Sequence, residues 1–152
     1  MRQCARLTTL NLCGMMDLTA APGIQGSIAG FPADVLIVDD PYKDHLEAHS
    51  LVVHENLWAN FITVLLPRLQ QGGGVLIVCT RWHEDDLCGR LLEREPGRWK
   101  VLSYPAIAEE DEPHRAKGEA LSPRFSLESR LEHKPRIGEY LWSALFQQKP
   151  VA

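Results

Sequence analysis

Two apolar patterns organise this chain. The first is a continuous run, Val35-Leu36-Ile37-Val38, rich in β-branched residues and halted by Asp39-Asp40-Pro41. A run without polar alternation predicts a strand buried on both faces, as in a parallel sheet. Pro41, which has no N–H to give a ladder, stops it. The second pattern is helical. Val53, Leu57, Trp58, Phe61, Ile62, Leu65, Leu66 and Leu69 recur at spacings of three and four, which predicts one long amphipathic helix. Pro67 ends or kinks it. Gly72-Gly73-Gly74 then predicts a return loop.

Both patterns repeat. Val75-Leu76-Ile77-Val78-Cys79 is a second buried strand, ending in Thr80 and Arg81. Asp85 and Asp86 open another helix with Leu87, Cys88, Leu91 and Leu92 on its inner face, and carboxylates suit the positive end of a helix. Pro96-Gly97 ends this helix. Residues 99–107 contain a third strand, and the charged segment 109–118, punctuated by Pro113, reads as a surface loop. Ser126 is placed to cap a short helix carrying Leu127 and Leu131, which Pro135 breaks. Ile137, Leu141, Leu145 and Phe146 form a last stripe, closed by Pro150. Residues 23–30, with three glycines, read as a turn between short strands. Residues 1–22 carry no clear period and stay unassigned. Strand, helix, strand, helix, strand predicts an α/β fold, with a mainly parallel sheet flanked by helices and right-handed crossovers.

Length changes this picture little, since 152 residues suit one core. Charge gives no prior for nucleic-acid binding, because the net value is −4 and a DNA grip usually shows as a basic excess. The stretch from Asp34 to Glu55 is acidic, and Arg115, Lys117, Arg124, Arg130, Lys134 and Arg136 make the later part more basic. This reads as a solvated mixed surface. No apolar run reaches the roughly 18–20 residues that span a bilayer, and no signal peptide is read at the N-terminus. Cys4, Cys13, Cys79 and Cys88 form no C-x-x-C pair. Cys79 and Cys88 read as small buried hydrophobes of a reduced, cytosolic protein.

The chemistry concentrates where the strands end. Ligands of open parallel sheets bind beyond the carboxyl ends of the strands. If the two apolar strands are neighbours, Asp39, Asp40, Thr80 and Arg81 line one crevice. A rigid strand ending in acids has the form of a Walker B motif, in which Asp39 contacts a magnesium ion and Asp40 orients or deprotonates a water. The plainer alternative is a buried strand ending at an Asp-Pro turn. Thr80 is placed to sense a γ-phosphate, or to cap a helix. Arg81 is a candidate for contact with the nucleotide, with a structural partnership to Asp85 or Asp86 as the equal alternative. His83, Glu84, Asp85 and Asp86 read as a solvated helical first turn, since adjacent residues do not share a helix face and H-E-x-x-H is absent. His45, His49 and His54 fall on one long helix, where the first two, four apart, make a surface metal pair a minor alternative.

Several segments, in order, resemble the ATPase domain of the large terminase subunits of tailed phages. Ala33-Asp34-Val35-Leu36-Ile37-Val38-Asp39-Asp40-Pro41-Tyr42-Lys43-Asp44 resembles the Walker B region, and Glu47, Ala48, Trp58, Phe61 and Pro67-Arg68-Leu69 continue it. Thr80-Arg81-Trp82-His83-Glu84-Asp85-Asp86-Leu87 is similar to the coupling-motif region. Pro105-Ala106-Ile107-Ala108-Glu109, Gly118-Glu119-Ala120-Leu121 and Trp142-Ser143-Ala144-Leu145-Phe146-Gln147-Gln148-Lys149-Pro150 complete the likeness. The resemblance implies a P-loop NTPase fold of the additional-strand class, ATP and Mg2+ as cofactors, and a cytoplasmic motor in the bacterial host cell. That motor is a ring-forming ATPase joined to a nuclease domain. Its partners are double-stranded DNA, the portal protein and the small terminase subunit, and it drives DNA into procapsids. It implies Asp39 as the magnesium-associated acid, Asp40 as the catalytic carboxylate and Thr80 as the coupling residue.

The sequence departs from that family in three respects. No G-x-x-x-x-G-K-[ST] occurs, and Gly72-Gly73-Gly74 precedes a strand instead of following one. The nuclease acids are missing. Asp40 stands where many related ATPases carry glutamate. The expectation is therefore a fragment: residues 23–152 as a partial ATPase domain ending at a linker, holding ATP weakly or not at all. A sheet without its P-loop strand is expected to leave an open apolar edge. The competing expectations are a non-enzymatic prophage remnant or interaction module, and a truncated helicase-like P-loop protein.

Overall fold

The computed structural model describes residues 2–6, 32–124 and 126–151. The expected turn at 23–30 and Cys13 lie outside them. The first described strand, β1 (Arg2–Arg6), falls in the segment the sequence left unassigned. It is followed by β2 (Ala33–Asp39), α1 (His45–Ala48), α2 (Leu51–Asn60), β3 (Leu69–Cys79), α3 (Leu87–Arg94), β4 (Lys100–Ser103) and α4 (Leu127–Leu141). The fold is mixed α/β, as the alternation of patterns predicts.

The sheet order is β2-β3-β1-β4. β2 and β3 are parallel neighbours, joined through α1 and α2. β1 runs antiparallel to both β3 and β4, so the sheet is less uniformly parallel than expected. β1 pairs with β3 from Arg2↔Cys79 to Arg6↔Val75, and β2 stands at one edge of the described sheet.

One face of the sheet carries the core. Leu36 and Val38 of β2 and Val75, Ile77 and Cys79 of β3 pack against Leu57, Phe61 and Leu65 from the first helical layer and Leu87, Cys88 and Leu91 from α3. The expectation of strands buried on both faces is corrected for β2, where Ile37 is 61% exposed. A period of two puts Ile37 on the face opposite Val38.

The helical layer departs from one continuous helix. Asp44 caps α1 by accepting from the Glu47 N–H, and Ser50 caps α2 by accepting from the Val53 N–H. A break at His49-Ser50 thus separates His45 and His49 from His54. After α2 the chain widens into a π-helical turn (Phe61–Leu65) and tightens into a 3-10 turn (Leu66–Arg68) holding Pro67. The helical stripe therefore ends where Pro67 predicts.

The triple glycine is not a loop. It lies inside β3, where the pairing passes from Ala33↔Leu69 to Val35↔Gly74 through a bulge. Gly72 takes φ +84, and a Cβ on Gly73 would stand 2.7 Å from the Asp34 carbonyl oxygen. Glycine is needed there for backbone twist and close approach, the usual reasons for glycine at a bulge.

At the C-terminal end Ser126 caps α4 as predicted, accepting from the Ser129 N–H. The helix runs past Pro135, and its kink falls instead at Gly138 (φ 81, ψ 165). A π-helical turn (Trp142–Phe146) follows, with Trp142 and Ala144 buried. The Gln147 side-chain amide donates to the Ile107 carbonyl (3.0 Å), and its oxygen accepts from the Ile107 N–H (3.1 Å). The side chain thereby replaces a strand partner and ties the chain end to the segment after β4.

Candidate functional site

The carboxyl ends of β2 and β3 lie side by side, with Asp39 level with Val78. The Asp40 N–H continues the ladder by donating to the Val78 carbonyl at 2.9 Å. Asp40 then turns the chain with φ 39, a left-handed value that aspartate tolerates better than most residues. Its Oδ1 accepts from the Thr80 N–H at 3.1 Å. One carboxylate thus stitches the two strand ends together, and Asp39, Asp40 and Thr80 converge as the sequence pattern implies. Asp39 and Asp40 are exposed, and Thr80 is half-buried.

The segment after Thr80 turns inward, in contrast to the solvated first turn expected for it. Asp86 is 1% exposed and Arg81 4%. The Arg81 Nε donates to Asp86 Oδ2 at 2.6 Å, while Asp86 Oδ1 caps α3 by accepting from the Gly89 N–H at 2.8 Å. Arg81 therefore holds the structural partnership with Asp86, and its guanidinium is committed within the fold instead of facing the crevice. Asp85 grips Arg90 through two bonds, Nε to Oδ1 (2.8 Å) and Nη2 to Oδ2 (2.6 Å). Exposed Glu55 adds a third contact to Arg90 at 2.8 Å. The Tyr42 hydroxyl, on the turn after Asp40, accepts from the Leu87 N–H at 3.1 Å. The turn after β2 and the first turn of α3 are thus locked together just below the crevice.

Two members of this network escaped the sequence reading. His54 is 1% exposed, with Nε2 donating to the Ala48 carbonyl (2.8 Å) and Nδ1 3.3 Å from Asp85. Its signal was present, because His54 stands three and four residues before Leu57 and Trp58, on the apolar face. Arg90 stands likewise three residues after Leu87 and one before Leu91.

The histidines form a chain of rings. His45 and His49 have centroids 4.0 Å apart, His49 and His83 5.3 Å, and His54 and His83 5.2 Å. No group of three or more metal-ligating side chains occurs among the described residues. His83 has a definite tautomer, since its Nδ1 accepts from the Asp85 N–H at 3.0 Å and so carries no proton. Burial, then the neighbouring His54 and His49, push its pKa below the ordinary 6.5, against the opposing pull of Glu84 and Asp85. A base with a depressed folded pKa binds more protons when unfolded. Its contribution to stability is present above pH 6.5 and is lost as the pH falls towards its folded value. Urea midpoints measured downward from pH 7 are expected to fall for the native chain and to fall less for His83→Asn, whose amide oxygen replaces Nδ1. Parallel curves would remove His83 as the cause. Asp85 acts at lower pH. Its Arg90 bonds, opposed by burial and aided by His54, hold it below the usual 3.8, so its contribution is lost only as the pH falls through that lower value.

The donor set can be judged against the implied cofactors. Magnesium is held through one or two carboxylates with waters and phosphate oxygens completing the shell, and exposed Asp39 and Asp40 fit that demand. The phosphates fit less well. β1 ends, at Arg6, level with Val75, at the far end of the sheet from the carboxylates. A phosphate loop follows the carboxyl end of its strand, so β1 presents none to the crevice. Among the described residues no helix is long and apolar enough to cross a membrane. Comparison with family models, curated proteins and solved structures finds no match to this chain.

Proposed function

We propose that this chain supplies the carboxylate side of a magnesium–nucleotide site of the large-terminase type, part of an ATP-driven motor that packages double-stranded DNA into procapsids. The observation that carries the reading is the pairing of β2 with β3. It sets Asp39, Asp40 and Thr80 at adjacent carboxyl strand ends, with Asp40 bonded to the Thr80 N–H. Asp39 would hold the ion, and Asp40 would orient water or, through Thr80, pass the state of the phosphate to the segment leading into α3. The ion would neutralise phosphate charge. Portal protein, small terminase subunit, ring assembly and a cytoplasmic setting belong to this reading through the resemblance alone. Arg81 is assigned no nucleotide contact in it, because it neutralises Asp86.

A second reading, an interaction module without turnover, is favoured by the antiparallel course of β1. The two readings separate on one titration. Mn2+–ATP, added to millimolar excess over the isotopically labelled chain, is expected to broaden the amide signals of Asp39, Asp40 and Thr80. Asp39→Asn should abolish the broadening. Steady ATP hydrolysis is not expected. Broadening elsewhere, or none, would favour the interaction module.

A further inference from the structure

We infer that Cys79 and Cys88 form a peroxide-sensitive dithiol that closes into an intramolecular disulfide. Cys79 is the last residue of β3 and Cys88 the second of α3, so they belong to separate elements. Their sulfurs are 2.7 Å apart and both residues are buried. That separation is close to the about 2.05 Å of a disulfide bond. A helix N-terminus favours attack by cysteine as its thiolate. Cys88, in the first turn of α3, has that position and is the attacking residue.

The oxidant is a water-sized hydroperoxide, which suits a buried pair. The Cys88 thiolate attacks one peroxide oxygen. An S–O bond forms, the O–O bond breaks and hydroxide leaves, giving a sulfenic acid. The Cys79 thiolate then attacks the Cys88 sulfur. The S–S bond forms, the S–O bond breaks, and the second hydroxide leaves. With the two thiol protons, two waters result. The sulfurs together lose the two electrons that the peroxide gains. The product is a covalent ring from Cys79 to Cys88 that encloses Thr80 and the Arg81–Asp86 pair. Unlike the nucleotide reading, this inference needs no ligand in the crevice.

The test treats the full chain with hydrogen peroxide, alkylates it under denaturing conditions and maps the peptides. The expected result is a fall from four alkylatable cysteines to two, a mass loss of two hydrogens before alkylation, and one Cys79–Cys88 cross-linked peptide that dithiothreitol releases. In Cys79→Ser the Cys88 sulfenic acid is expected to persist and to be trapped by dimedone. The native-chain map stands by itself if that variant does not fold. Four alkylated cysteines after peroxide, sulfinic or sulfonic acid in place of the cross-link, or a cross-link to Cys4 or Cys13 would each overturn the inference.

Discussion

Asp86→Ala is expected to lower the unfolding free energy by about 3–5 kcal/mol, the usual cost of removing one partner from a buried ion pair. The substitution leaves the Arg81 guanidinium inside the fold without its 2.6 Å counter-charge. It also removes the α3 cap that holds the Gly89 N–H, worth about 1 kcal/mol alone. Against a typical domain stability of about 5–15 kcal/mol, such a variant is close to unfolding. Urea denaturation of the single variant and of Arg81→Met/Asp86→Leu separates the causes. The double variant should recover much of the loss, because an apolar pair needs no counter-charge. A single-variant loss of under about 1 kcal/mol, the size of an exposed ion pair, would mean that water reaches Arg81.

Gly89→Ala is expected to destabilise the chain by about 1–3 kcal/mol or more, the range of overpacking. The sign is the informative part. Inside an ordinary helix the same change is favourable by about 0.5–1 kcal/mol. Here a Cβ would overlap the backbone carbonyl of Glu84 and stand 3.2 Å from the Arg81 Nη2. Segment 81–84 lies directly on the first turn of α3, which lets Arg81 reach Asp86. Displacing that segment therefore strains the ion pair as well. A thermal midpoint unchanged or raised in Gly89→Ala would show that the segment does not rest on the helix.

Much of this arrangement is written locally. The runs ending at Asp39 and Cys79 predicted two strands, and their parallel pairing brought Asp39, Asp40 and Thr80 together as the crevice argument requires. The cap at Ser126 and the stop at Pro67 were legible for the same reason, since each is a short-range contest over backbone hydrogen bonds. What escaped is tertiary. A glycine run looks like a breaker until its bulge meets the Asp34 carbonyl. Asp86 looks solvated until the fold buries it against Arg81, the partnership that the sequence left as one of two alternatives for Arg81. β1 has no period to betray it, because its place depends on neighbours at both edges instead of on its own pattern.

The placing of β1 also sets a timetable for folding. Arg2–Arg6 is made before its sheet partners, which reach as far along the chain as Cys79 and Ser103. The parallel β2–β3 pair can close as soon as residue 79 has emerged, with α1 and α2 already between the two strands. β1 must wait for β3 and then for β4, paying loop-closure entropy over most of the molecule before its own contacts form. Until then β3 has an unpaired edge. Late insertion of a central strand makes folding slow for a chain of this size, and leaves the nascent protein open during that interval to strand exchange with its neighbours.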